Sequence, residues 1–302
     1  MRAVLSLVIV VRHDGVWYAE RPHPTILSIE HPMRTLKLTI AYDGTRYAGW
    51  QAQRQTASRR HETADIRAGK PTVQETLERV LGRILREQVT VVGSGRTDAG
   101  VHALAQTAHV VIRSPIDLSR LHRSANALLP PEIAITRIEA AAPTFHARFQ
   151  ARSKHYRYRL FTGQVATPFI RPWVHHVRAP LTLSLMRGEA AALRGRHDFR
   201  AFARAGPVKD TRRAIRSIAV RRLGEEIRLD IEGDGFLHTM VRSIMGTLLD
   251  VGRGRLPPGT VRRMLRTGDR RLAGTTAPAK GLTLVSVNYG VRPQSGALEL
   301  GV

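Results

Sequence analysis

The same order of strands and helices can be read twice along this chain, and that repetition constrains its fold more than any single motif does. In the first pass Leu36, Leu38, Ile40 and Tyr42 alternate with other residues, so one face of an extended segment is apolar and it reads as a strand. Residues 71–88 read as a helix. Thr72 and Glu75 have capping-box spacing, and Val73, Leu77, Val80, Leu81, Ile84 and Leu85 form one apolar stripe. "VTVVG" and "QTAHVVI" read as strands, "DLSRLHRSANALLP" as a helix stopped by a proline pair, and "EIAITRIEAA" as a strand. The second pass begins with "KHYRYRLF", with Tyr156, Tyr158 and Leu160 on one face, and a helix in "LTLSLMRGEAAALRG". Strands "AIRSIAVRR" and "EIRLDIEG" follow. A long helix over "GFLHTMVRSIMGTLLDVG", with Gly252 as its expected left-handed terminator, precedes a last strand in "GLTLVSVNY". The predicted class is α+β: two tandem ferredoxin-like βαββαβ units over residues 34–150 and 151–290, each an antiparallel sheet with helices on one face.

Three stretches fall outside that repeat. "RAVLSLVIVV" has the charge and apolar run of a signal peptide, but no small-x-small cleavage site follows and it is too short to span a bilayer. Residues 1–33 are therefore expected to be an extension with little fold of its own, with Met33 a candidate start. "YDGTRYAGWQ" is expected to be a Gly-rich turn with exposed aromatics, and the polar, aperiodic residues 52–70 after it a flexible insertion. Residues 291–302 are expected to be a loose tail.

Charge narrows the partner. The 302 residues carry 48 Lys and Arg against 24 Asp and Glu, a formal +24. Such a surplus concentrates polyanions, and arginine's planar fork suits phosphates and bases. No long apolar run or basic amphipathic anchor points to a membrane, so nucleic acid is the expected partner, held in a cleft between the two units. There are no cysteines. That excludes a disulfide framework, a thiolate zinc site and a cysteine nucleophile, and it fits a reducing compartment such as the cytoplasm.

"GSGRTDAGVH", residues 93–102, can contribute little to a core. It lacks the G-K-[ST] ending of a P-loop and the glycine spacing of a dinucleotide fingerprint. No H-E-x-x-H occurs, His175 and His176 point apart in regular structure, and no G-x-S-x-G frame surrounds Ser94, so neither a metal site nor a serine hydrolase is predicted. Asp98 remains. On spacing alone it is a turn former. Arg96 is placed to pair with its carboxylate or to hold a phosphate beside it, and the flanking glycines leave room for a bulky ligand.

"GSGRTDAGVHALAQTAHV" resembles the signature loop of the TruA-type tRNA pseudouridine synthases. "YDGTRYAGWQ", "TVQETLE", "NALLP", "FHARFQARSKHYRYRL", "HDFRAF", "FLHTMVRSIMGTLLDVG" and "GLTLVSV" resemble that family's other stretches in the same order, over roughly residues 34–290. The resemblance implies an isomerase that turns uridine into pseudouridine, at uridines 38 to 40 of the tRNA anticodon stem-loop, after flipping the base from its stack and without cofactor or metal. It implies Asp98 as the catalytic carboxylate and Arg96 as its partner in holding the flipped state. Tyr156 would stack on the uracil and take part in proton removal, Arg242 would be a second charged partner of Asp98, and Leu284 an apolar wall of the pocket. It also implies a homodimer. The competing function is an RNA-binding protein or tRNA chaperone without chemistry; the intact R-T-D triplet favours the enzyme, because a pure binder has no need of a carboxylate facing a polyanion.

Overall fold

The computed structural model describes residues 9–13, 16–20, 32–51, 69–204 and 210–290. The chain divides into residues 1–32 and 33–302. In the first unit β1 (Ile9–His13) and β2 (Val16–Glu20) pair antiparallel, with Ile9 opposite Glu20 and His13 opposite Val16. Residues 1–8, 14–15 and 21–31 of the expected extension lie outside the described residues.

The second unit holds β3 (Arg34–Tyr42), α1 (Val73–Leu85), β4 (Val92–Gly93), β5 (His102–Ile112), α2 (Leu118–Leu128), β6 (Ile133–Ala141), β7 (Ser153–Phe161), β8 (His175–His176) and α3 (Leu183–Ala191). It continues with β9 (Gly195–Asp198), β10 (Arg212–Leu223), β11 (Glu226–Gly233), α4 (Met240–Gly252), α5 (Thr260–Thr267) and β12 (Leu282–Asn288). The helix starts are written in the sequence. Thr72 and Glu75 form the reciprocal capping box of α1, and Asp117 accepts from the Arg120 N–H at the start of α2.

Instead of two sheets there is one ten-stranded sheet, in the order β6-β3-β5-β12-β7-β11-β10-β9, with β4 paired to β5 and β8 to β7. The seam is β12 against β5. They run parallel, Thr283 opposite His102 and Leu284 opposite Ala103, while β3 and β7 flank them antiparallel. β4 takes the same edge of β5 further along, at Ala108 and His109. Pairing the last strand of the second repeat with a strand of the first fuses both into one core. That core runs from Leu36, Leu38 and Ile40 through Tyr158 and Leu160 to Leu248 on α4, all fully buried.

Two local expectations change. Tyr47 and Trp50 of the "YDGTRYAGWQ" turn are buried, not exposed. Gly252 does not terminate α4: it lies in the last turn, where a Cβ would meet the Met186 side chain of α3 at 2.8 Å, and the left-handed glycine is Gly254, at φ +73°. Residues 52–68 of the expected insertion and the tail 291–302 lie outside the described residues. Among the described residues no helix is long and apolar enough to cross a membrane.

Candidate active site

Asp98 sits on a braced loop beside the seam. The loop leaves β4, whose next residue, Ser94, donates its N–H to the Thr107 carbonyl of β5 (2.7 Å). Ser94 Oγ donates to Gln106 Oε1 (2.7 Å), and Gln106 Nε2 donates to the Gly95 carbonyl (3.0 Å), so one buried glutamine holds two consecutive loop residues. Thr97 is held by the turn after β3: its hydroxyl bonds that of Tyr42 at 2.8 Å and its carbonyl accepts from the Trp50 N–H at 3.1 Å. Gly49, at φ +103°, permits this approach, because a Cβ there would lie 2.6 Å from the Thr97 carbonyl oxygen. Tyr42 and Trp50 of "YDGTRYAGWQ" are therefore scaffolding for the loop. The Val101 N–H then donates to the Asp98 carbonyl (3.1 Å) and turns the chain into β5.

That turn aims the carboxylate across the seam. Arg242 Nη1, from the first turn of α4, donates to Asp98 Oδ2 at 2.7 Å. The guanidinium is itself fixed, its Nε donating to the Ala277 carbonyl at 2.8 Å. His238, in the turn before α4, places Nε2 3.3 Å from Asp98 Oδ1. The Asp98 side chain remains 16% exposed, enough to be reached from solvent. Arg96 is exposed and makes no ion pair with Asp98. The expectation of an Arg96–Asp98 pair is corrected: the bend at Asp98–Val101 carries the carboxylate toward α4, leaving Arg96 on the solvent side of the loop.

Tyr156 lies on β7, opposite Leu284 of β12 and Ile231 of β11. Its ring is buried and meets Phe236 edge-on, centroids 5.1 Å apart. Burial pushes its phenol far above the ordinary value, and the Asp98 carboxylate pushes it the same way. Leu284 is buried at the seam itself. Asp98, Arg242, Tyr156 and Leu284 thus gather where the repeats join, whereas Arg96 stands apart from the ion pair. His238 and Lys154 carry no motif that singles them out. The nearest signal for His238 is that it opens the "HTMVR" stretch that ends in Arg242, although it lies outside α4.

Lys154 binds the loop from β7: its Nζ donates to the Ser94 carbonyl at 2.7 Å, and a Cβ on Gly95 would come within 2.7 Å of that nitrogen. Burial, with the charges of Arg148 and Arg213 behind it, pulls the ammonium down to about 8. The folded state therefore holds this proton less tightly than the unfolded chain does. The cost of the buried charge is present in full below pH 8, and stability contributed by this group rises from there to the ordinary lysine value. Melting temperatures of the unaltered chain and of Lys154→Met, measured from pH 7 to 9, are expected to diverge, the unaltered chain gaining on the variant as pH rises. Parallel curves would contradict it.

A carboxylate on a rigid loop, gripped by a guanidinium from the other repeat and set beside a buried tyrosine, has the make-up of a catalytic site, not of a turn. The sequence model described as tRNA pseudouridine synthase matches residues 38–150 and 190–290. A tRNA pseudouridine synthase A from Pelobacter propionicus is 45% identical over 258 residues, 85% of this chain and all of the relative. One from Moorella thermoacetica is 42% identical over the same shares. A chain of a solved Cbf5–Nop10–Gar1 complex matches 68% of this chain and 43% of its own length at 13% identity, but its TM-score of 0.29 is too low to argue from. The chain belongs to the tRNA pseudouridine synthase family.

Proposed function

We propose that this chain isomerises uridine to pseudouridine in tRNA, at positions 38 to 40 of the anticodon stem-loop, with Asp98 as the catalytic carboxylate. The single observation that carries it is the Asp98–Arg242 ion pair across the seam. An RNA-binding surface gains nothing from a carboxylate turned toward a polyanion, while an enzyme gains a reactive group of fixed geometry. The base bond between C1′ and N1 breaks, the uracil turns, C1′ joins C5, the C5 proton leaves and N1 takes one up. No atom is gained overall. Arg242 anchors one carboxylate oxygen so that the other can meet the flipped nucleotide. The Tyr156 ring stacks on the uracil, and Leu284 closes the apolar side of the pocket. Arg96, free of Asp98 and exposed, holds a phosphate or fills the gap left by the flipped base.

We read each half as a ferredoxin-like unit, since both follow the strand order fourth-first-third-second: β6-β3-β5-β4 and β12-β7-β11-β10. Residues 34–150 then form the subdomain carrying the Asp98 loop and 151–290 the subdomain carrying Tyr156 and Arg242. The RNA lies along the junction, and the enzyme works as a cytoplasmic homodimer. The charge of +24 supports a polyanionic substrate. tRNA transcripts bearing tritium at uracil C5 test the activity: the purified chain is expected to release the label from the anticodon arm. Binding without release would leave a tRNA-binding protein without chemistry.

A further inference from the structure

We infer that Phe149, backed by His146 and flanked by Arg148, is a stacking platform for an unpaired base of the tRNA anticodon loop. The inference rests on the tRNA reading and adds a contact outside the Asp98 site. Phe149 lies in residues 142–152, the connection from β6 to β7 that joins the two halves of the chain. It is 77% exposed, more than any other large apolar side chain among the described residues except Phe169. Among the described residues no ring or cation packs against Phe169, whereas Phe149 has both.

The connection reaches from β3 across β5 to β12 and is pinned on the way. Thr35 donates its hydroxyl to the Pro143 carbonyl (3.4 Å), and the Ala147 N–H donates to His109 Nδ1 (3.2 Å). Tyr289 donates its hydroxyl to the Ala147 carbonyl (2.6 Å), and the Arg152 N–H donates to the Asn288 carbonyl (2.7 Å). Ala147 is fully buried, yet two residues later Phe149 stands in solvent. His146 makes that turn. Its Nδ1 accepts the N–H groups of Arg148 (3.2 Å) and Phe149 (3.3 Å), and its carbonyl accepts from the Gln150 N–H (3.1 Å). The His146 ring then lies against Phe149, centroids 4.2 Å apart and planes 31° apart. His146 itself rests on His109, centroids 4.7 Å apart. A surface phenylalanine gains by turning back onto the protein and shedding water. This one is held outward on a braced turn.

The surroundings say what the ring is for. The Arg148 guanidinium carbon lies 5.8 Å from the ring centre. Arg152 and Arg216 are exposed nearby, joined by the Arg216 Nη2 bond to the Arg152 carbonyl at 2.8 Å. The charges of Arg148 and Arg213 act on the Lys154 ammonium, and that lysine holds the Ser94 carbonyl at the root of the Asp98 loop. The platform is thus braced to the elements that carry the site. A fixed apolar ring among guanidinium groups suits a nucleobase with its phosphates: every base has a π face, and arginine holds the anions beside it. Positions 38 to 40 lie where the anticodon stem meets its loop, so unpaired bases lie next to the target. A loop base stacked on Phe149 keeps the loop in place while the target nucleotide turns out.

The test measures binding of anticodon stem-loop RNA to the unaltered chain and to Phe149→Ala, Phe149→Leu and Phe149→Trp. Each loop base is replaced in turn by an abasic site. Phe149→Ala should bind the intact loop ~10-fold or more weakly. Phe149→Leu keeps apolar bulk without a π face and should recover little, while Phe149→Trp should bind as tightly as the unaltered chain. One abasic position should weaken binding to the unaltered chain and leave Phe149→Ala no weaker than before. Unchanged affinity in Phe149→Ala, or full affinity in Phe149→Leu, would overturn the inference. So would abasic losses that add to the Phe149→Ala loss at every position. A Phe149→Ala chain that stops self-associating in sedimentation while its RNA affinity holds would also overturn it, and would give the ring to a second copy of the chain. An unaltered chain that does not bind the RNA would instead overturn the tRNA reading, and the inference with it.

Discussion

Asp98→Asn is expected to yield a folded protein that binds tRNA and makes no pseudouridine. The substitution keeps the shape of the side chain and its hydrogen-bonding oxygen toward Arg242 Nη1, so the loop braced by Gln106, Thr97 and Trp50 should stay in place. What disappears is the negative charge. Turnover should fall by ~1,000-fold or more, equivalent to about 4 kcal/mol of barrier. Affinity should hold or improve, because one anion no longer faces the RNA backbone. Tritium release in single turnover, beside a filter-binding curve on the same preparation, separates the two effects. Turnover within tenfold of the unaltered chain would remove Asp98 from the chemistry.

Gly246→Ala should cost more stability than its size suggests. Alanine is ordinarily the better helix former by about 1 kcal/mol. Here the glycine faces the segment that returns from α5 to β12, and a Cβ would overlap the Thr275 carbonyl oxygen. Backbone cannot rotate aside as a side chain can, so either α4 or residues 275–277 must move. Overpacking of this kind costs roughly 3 kcal/mol. It should also disturb the Arg242 Nε bond to the Ala277 carbonyl, and with it the grip on Asp98. A urea titration should show a lower midpoint with the same slope. An unshifted midpoint would mean that the close approach at Gly246 is not needed.

What the sequence made legible, and what it did not, divides by the range of the interactions. The apolar faces of β3 and β7 and the capping box of α1 are local patterns, and each could be read directly from residues such as Leu36, Tyr158, Thr72 and Glu75. The pairing of β12 with β5 joins Leu284 to Ala103, far apart in the chain, and no periodicity encodes it. For the same reason two separate sheets were the natural expectation. Tyr47 and Trp50 lie in a Gly-rich turn, which reads as exposed; the Trp50 ring is covered at Gly93, where the segment leading to the Asp98 loop arrives later in the chain. Asp98 and Arg242 stood out through family motifs, but which arginine grips the carboxylate depends on where the bend after Asp98 points. Arg96 is two residues away in sequence and outside the pair, while Arg242, 144 residues away, is inside it. The resemblance gave no role to His238, which becomes visible only through its distance to Oδ1.

The seam between β5 and β12 has a bearing on how this protein can fail. Asp98 lies on the loop that leads into β5, while Arg242, His238 and Tyr156 lie on or beside α4 and β7, so under the proposed function neither half of the sheet alone holds a usable centre. Any lesion that lets the repeats part slightly should silence the enzyme while both remain folded, and loss of activity on warming should precede loss of secondary structure. Conversely, the two repeats produced as separate polypeptides would be inert singly and active on mixing if the parallel ladder re-forms.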